Sequence, residues 1–228
     1  MLAKMLLHYL FTSQRCLLCS TEQIEGPLCP RCYAGLELLQ GNRCTTCSAP
    51  LISEERVCTR CRNRNFSFSG STSLFSYEGD VKELIHQYKF NHDKQLSRTF
   101  AQLLYDTYLA HLPPDTVIVP VPARRVTKKH RGWDHMEIIA KHLEKKYGVE
   151  VLYCLTRNGS MSQKSLDYAG RMRNLQGKIL VKPSPVPLPE KVLLIDDVFT
   201  TGATIEQCSC VLRTAGVTEV SALTLALD

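Results

Sequence analysis

The sequence predicts an α/β protein, a mainly parallel sheet with helices on both faces, carried behind a small cysteine-rich N-terminal domain. Strand-length apolar runs alternate with helix-period segments over the C-terminal two thirds of the chain. Two adjacent carboxylates stand where one such run gives way to a loop of small hydroxyl and glycine residues. Eight of the 11 cysteines fall into C-x-x-C pairs before residue 62.

At 228 residues, 44% hydrophobic and 22% charged, the chain can bury one ordinary core and a small appendage. No run of about 18 apolar residues occurs, so no membrane-spanning helix is expected. The opening MLAKMLLHYLF resembles a signal segment, yet Lys4 and His8 interrupt it and no small-x-small cleavage site precedes Cys16. It reads as a short amphipathic helix on the body of a cytoplasmic protein, with contact to the inner face of a membrane as the lesser reading.

The cysteine pairs have metal-ligand spacing. Cys16 and Cys19 are separated by nine residues from Cys29 and Cys32, and Cys44 and Cys47 by ten from Cys58 and Cys61. Each pair can place two thiolates on one zinc ion, and two pairs close a tetrahedral shell. About 60 residues with so few large apolar side chains need such a staple, so two structural zinc ions are expected. Pairing in sequence order is the simplest arrangement, and spacing leaves an interleaved one open. The formal charge of +6 falls to about +2 once each four-thiolate site carries its ion. Global charge is then a poor argument for nucleic-acid binding. Local clusters remain at Arg60, Arg62 and Arg64, read as a solvated turn, and from Arg124 to Arg131.

Polar, serine-containing residues 63–70 read as a linker, placing a boundary near residue 65: a zinc-binding domain over 1–65 and the α/β domain over 66–228. A strand is expected over Ser73 to Tyr77. A helix follows with Val81, Leu84, Ile85 and Tyr88 inward, interrupted at Lys89-Phe90-Asn91. A second helix carries Leu96, Phe100, Leu103, Leu104 and Tyr108. Thr116 to Val121 is a β-branched strand. A helix from about Trp133 to Tyr147 stops at Gly148. Strands are expected over Val149 to Leu155 and Lys178 to Val181, with residues 183–189 an extended connector. After the strand at Val192 comes a helix bearing Ile205, Cys208 and Leu212, then a last strand from about Thr218 to Leu227. Cys154, Cys208 and Cys210 are expected to pack as small apolar groups.

The most informative stretch is Val192 to Thr204, VLLIDDVFTTGAT. Asp196 and Asp197 stand at the carboxyl end of an apolar strand, where open parallel sheets hold their ligands. The backbone N–H groups of Thr200 to Thr204, the flexible Gly202 and three threonine hydroxyls can surround a phosphate. Carboxylates repel phosphate but accept hydrogen bonds from vicinal sugar hydroxyls, so the pair and the loop together suit a sugar carrying a 5-phosphate. Neither GxGxxG nor GxxxxGK[ST] occurs, which removes dinucleotide and P-loop readings.

This stretch resembles the phosphoribosyl pyrophosphate (PRPP) motif of type I phosphoribosyltransferases. The resemblance implies that Asp196 and Asp197 hold the ribose hydroxyls and that Thr200, Thr201, Gly202, Ala203 and Thr204 hold the 5-phosphate. Further blocks narrow it: Tyr77, the helix to Tyr88, Lys89-Phe90, Pro120-Val121-Pro122 with Arg124 and Arg125, and Gln163, Leu166, Arg171, Asn174 and Gly177. Together with the N-terminal cysteine pairs they resemble the ComF family. That resemblance implies a type I phosphoribosyltransferase-like domain behind a double zinc ribbon, a role in DNA uptake during natural competence, and magnesium with PRPP. It implies single-stranded DNA and a DNA-translocating ATPase as partners. Phosphoribosyl transfer to an unknown acceptor is the alternative, with Asp196, Asp197 and Lys89 as catalytic candidates.

Lys89 would reach the pyrophosphate. Arg124, Arg125, Lys128 and Arg131 lie where related enzymes carry a mobile flap, and would contact pyrophosphate or a nucleic acid, with Trp133 as a stacking platform. One block departs from the family. Where it has Arg-Gly-Phe-Asn-Gln, this chain has Arg131-Gly132-Trp133-Asp134-His135, so two neutral amides become an acid and an imidazole. Asp134 reads equally well as a helix cap.

Overall fold

In a computed structural model of the chain, residues 14–23, 26–91, 93–109, 113, 115–158 and 177–228 are described. The expected N-terminal helix and the block from Gln163 to Asn174 lie outside them.

The cysteine-rich part carries the short antiparallel pair β1 (Gln14–Arg15) and β2 (Glu22–Gln23) and two helical turns, α1 (Pro30–Ala34) and α2 (Thr59–Arg62). Each helix starts directly after the first cysteine of a pair, Cys29 or Cys58. Then come β3 (Ser71–Ser76), α3 (Gly79–Phe90), α4 (Leu96–Thr107), β4 (Val117–Pro120), α5 (Arg125–Arg131), α6 (His135–Tyr147), β5 (Leu155–Arg157), β6 (Ile179–Val181), β7 (Lys191–Phe199), α7 (Ala203–Thr214) and β8 (Glu219–Leu227).

Four strands form one sheet in the order β3-β8-β7-β4, every neighbouring pair parallel. The two central strands, β7 and β8, are almost wholly buried and apolar, as expected where helices cover both faces. The core divides into two clusters. One joins α3, α4 and α6 to Cys16 and Cys29, the other joins α7 to the four cysteines from Cys44 to Cys61. The cysteine-rich part thus packs into the same apolar interior as the sheet.

Expected and observed elements differ at four places. Residues 149–155 do not form a full strand: Val151 makes a single parallel bridge to Ile118, and β5 begins at Leu155, antiparallel to β6. Alternation of apolar residues there reflects packing on α6 and β4 without a continuous ladder. Helix α3 runs through Lys89 and Phe90 and stops at Asn91. The segment expected as a flap contains α5, closed at Gly132 with φ +81°; its mostly polar sequence gives no inward apolar stripe to read. Residues 63–70, expected as a linker, are irregular but held firmly. Ser67 donates from its N–H (2.8 Å) and hydroxyl (2.9 Å) to the buried Glu206 carboxylate, and the Ser69 N–H donates to the Val220 carbonyl.

Candidate functional site

Strand β7 does not stop before the acids. It carries Asp196 and Asp197 within its last turn of pleat and ends at Phe199, pairing Asp196 with Thr224 and Val198 with Ala226 of β8. The acids are 9% and 7% exposed, at the carboxyl edge of the sheet.

Asp197 is gripped from two helices. The Lys89 ammonium, near the end of α3, lies 2.7 Å from its Oδ2, and His135 Nε2, at the start of α6, lies 2.5 Å from the same oxygen. The first turn of α6 and the last turn of α3 both reach the carboxyl edge of the sheet. Asp134 caps α6, accepting from the N–H groups of Met136 and Glu137, and its other oxygen accepts from Ala123 N–H after β4. That cap fixes His135. The departure at residues 134–135 therefore supplies both the cap and a direct contact to the acid pair.

Burial opposes ionisation of both acids, and their neighbours decide the outcome. Asp197 is desolvated, but Lys89 and His135 outweigh that and hold its carboxyl well below the usual carboxylate range. Asp196 is pushed up to about 7 by burial and by the Asp197 charge. Two adjacent carboxylates of unlike protonation are the result. One ligand-type atom from each of His135, Asp196 and Asp197 lies within 4.8 Å of the others. Arg157 of β5 is close enough to feel both acids, and its own desolvation lowers its pKa.

The loop after β7 is shaped by Gly202. Its φ is +78°, and a Cβ there would stand 2.7 Å from Phe199 Cζ, so a side chain is excluded twice. Ala203 and Thr204 open α7, which no side chain caps, so the first N–H groups of the helix face the loop. Thr200, Thr201, Gly202, Ala203 and Thr204 thus surround a helix start next to the acids.

The expected basic residues divide. Lys89, expected on pyrophosphate, is a charge partner of Asp197. Lys128 pairs with Glu137 at 2.7 Å. Arg125 and Lys128, with Tyr153, Arg157 and Lys182, line a cavity of about 480 Å³ at the carboxyl end of β4. Arg124 caps the start of α5, half-buried beside Arg157, and burial lowers its pKa. Arg131 turns away from that cavity and lies over two aromatic rings, Phe90 at 5.9 Å and Trp133 at 5.4 Å. Trp133 is only 7% exposed and packs on Tyr88 at 5.0 Å, so it is a core residue and offers no stacking face. Sequence reasoning took its ring for a platform because pattern alone does not tell which way a ring at a helix start points. It also gave no role to Arg157 or to Glu206; neither belongs to a spaced motif.

The cysteines pair in sequence order. Cys16, Cys19, Cys29 and Cys32 form one set and Cys44, Cys47, Cys58 and Cys61 the other, each with its sulfurs within 4.8 Å. Sγ–Sγ distances of 3.7 Å for Cys19–Cys29 and Cys47–Cys58 match the edge of a zinc–thiolate tetrahedron, about 3.8 Å for bonds of about 2.3 Å. The backbone N–H of Cys58 donates to Cys44 Sγ, the outer contact a thiolate ligand needs. Both sets fit structural zinc. Cys154 and Cys208 are buried as expected, while Cys210 also contacts Ser67 and Glu206. Among the described residues no helix is long and apolar enough to cross a membrane.

The cysteine-rich part and the chain as a whole are similar to known proteins. A double zinc ribbon domain model matches residues 6–62. Competence protein F of Haemophilus influenzae is 26% identical over 95% of this chain and 98% of its own length. Competence protein ComFC of Streptococcus pneumoniae is 28% identical over 88% of each chain. Among solved structures, adenine phosphoribosyltransferase from Leishmania tarentolae aligns over 69% of this chain and 78% of its own, at 15% identity and a TM-score of 0.33. The chain is thus similar over most of its length to competence proteins F and ComFC, and its cysteine-rich part matches a double zinc ribbon domain ahead of a parallel α/β sheet.

Proposed function

We propose that this chain serves DNA uptake as an accessory protein of natural competence, and that it binds a phosphoribosyl ligand of the PRPP type at Asp196, Asp197 and the Thr200–Thr204 loop. The observation that carries the reading is the charge-compensated Asp197, held by Lys89 and His135 beside a glycine-shaped helix start. A ribose hydroxyl would donate to the acids, and the 5-phosphate would sit against the N–H groups of Ala203 and Thr204. Lys89 and His135 already occupy one oxygen of Asp197, so the remaining carboxylate oxygens would take the sugar. Magnesium would accompany the diphosphate; carboxylate oxygens are the donors it favours. The competence role draws on the names of the two curated relatives. Single-stranded DNA and a DNA-translocating ATPase are the partners this role calls for, at the cytoplasmic face of the membrane.

A second reading, phosphoribosyl transfer, draws on the 480 Å³ cavity, which could seat an acceptor. There the leaving pyrophosphate would be met by Arg125 and Arg157. Calorimetric titration of the zinc-loaded protein with PRPP and magnesium tests both. Binding that Asp196→Asn with Asp197→Asn abolishes, together with loss of transformation in cells carrying that double variant, is the expected result. Unaltered transformation would move the function away from the pocket. Pyrophosphate release with one of a panel of nucleobases would establish transfer.

A further inference from the structure

Phe90 is the last residue of α3 and is 58% exposed, an unusual position for a large aromatic ring beside a candidate ligand site. It directly follows Lys89, the charge partner of Asp197. One side of the ring meets His86 at 4.7 Å, and the Arg131 guanidinium lies 5.9 Å from its centroid. The same guanidinium is 5.4 Å from Trp133, whose ring also carries Lys94 at 5.6 Å. Nη1 of Arg131 is buried and finds no acceptor among the described residues. Arg131 closes α5, a seven-residue helix that also carries Arg125, Lys128, Lys129 and His130 and no acid. The acids nearest to it are already satisfied: Asp134 by three backbone N–H groups, and Glu137 by Lys128 and Lys141.

An exposed ring braced by a guanidinium, next to a helix with surplus positive charge, is the combination that holds single-stranded nucleic acid. Phosphates follow the cations, and a base lies on the ring. We propose that Phe90 is the nucleobase platform of a single-stranded DNA path that runs along α5 to the edge of the ribose-phosphate pocket. This rests on the DNA-handling part of the function proposed above and replaces Trp133 with Phe90 as the stacking residue. A protein partner would be expected to find a wider apolar patch. Among the described residues the exposed large apolar side chains are six single residues in different segments, Phe90 and Val126 among them, and the α5 residue that meets Phe90 is the cation Arg131.

The test is fluorescence anisotropy of a labelled oligothymidylate of about 20 nucleotides with the zinc-loaded full chain, titrated at several salt concentrations. Phe90→Ala and Phe90→Leu are each expected to weaken binding about tenfold, and Phe90→Trp to restore it. Leucine keeps apolar bulk without a π face, so its failure separates stacking from simple hydrophobic contact. Lys129→Ala is expected to lower the slope of log affinity against log salt by about one. If wild type binds and Phe90→Ala binds equally well, the platform is overturned while the DNA-handling function stands. If wild type does not bind the strand, both fall.

Discussion

Replacing Lys89 with methionine removes a charge while keeping an unbranched stem of similar length, and so isolates the ion pair at the centre of the site. The ammonium lies 2.7 Å from Asp197 Oδ2, with the two side chains 18% and 10% exposed. Breaking a buried pair by removing one partner costs about 3–5 kcal/mol, because the other charge is left desolvated. His135 Nε2 stays on the same oxygen at 2.5 Å and retains part of the compensation. The expected loss is therefore about 2–3 kcal/mol, below that range. Asp197→Asn should cost less, about 1–2 kcal/mol, since an unpaired lysine near the surface can extend its head toward water. If the pair is formed, Lys89→Met in the Asp197→Asn background should cost little, giving a coupling energy of more than about 1 kcal/mol. Urea unfolding of the zinc-loaded protein and its three variants at neutral pH measures it. Coupling below about 0.5 kcal/mol would mean that Lys89 does not hold Asp197 in solution, and the charge argument for the pocket would lose its basis.

Two further outcomes follow from the same geometry. Gly202→Ala should destabilise by about 2–4 kcal/mol, from a left-handed backbone plus overlap with Phe199, and Phe199→Leu should recover the overlap part; thermal unfolding that places the variant within about 0.5 kcal/mol of wild type contradicts it. Asp196, raised to about 7, contributes stability that is fully present below its unfolded value near 4 and is lost as pH rises through about 7. Without ligand or magnesium, wild type should therefore lose stability relative to Asp196→Asn as pH rises from about 5 to about 7, and the two curves should run parallel above that. Parallel curves for the two proteins between about pH 5 and 7 would show that Asp196 is already ionised there.

Much of this molecule is local in sequence, and that part could be read directly. The zinc sets are defined by pairs two residues apart within short segments, and sequence-order pairing proved correct because each ribbon closes on itself. Helices α3, α4, α6 and α7 declared themselves through one apolar face, and β7 through an uninterrupted apolar run. Helix α5 could not be found this way. Its residues are R-V-T-K-K-H-R, and what makes them helical is the cap geometry at Arg124 and Gly132 in place between β4 and α6. Strand period failed at residues 149–155 for a related reason. Alternating apolar side chains are needed for packing there, and only Val151 and Leu155 meet a strand partner, each on a different strand.

The acid pair shows where a motif stops being informative. Spacing identifies Asp196 and Asp197 as a unit and underlies the proposal that they take a sugar, but the two have unlike environments that no motif encodes. Asp197 owes its ionised state to Lys89, from the end of one helix, and to His135, from the start of another, and these two meet it from elements more than 40 residues apart in the chain. His135 stands where the resembled family carries an amide, and here it reaches Asp197 Oδ2 directly through Nε2. A ligand hydroxyl arriving at this edge meets one carboxylate with its charge already balanced and a second near its titration point. A sugar whose hydroxyls donate to Asp196 would favour its ionised form, so the proposed binding would release a proton from that acid, and the measured affinity should rise with pH through about 7 in step with Asp196 and not with the zinc ribbons.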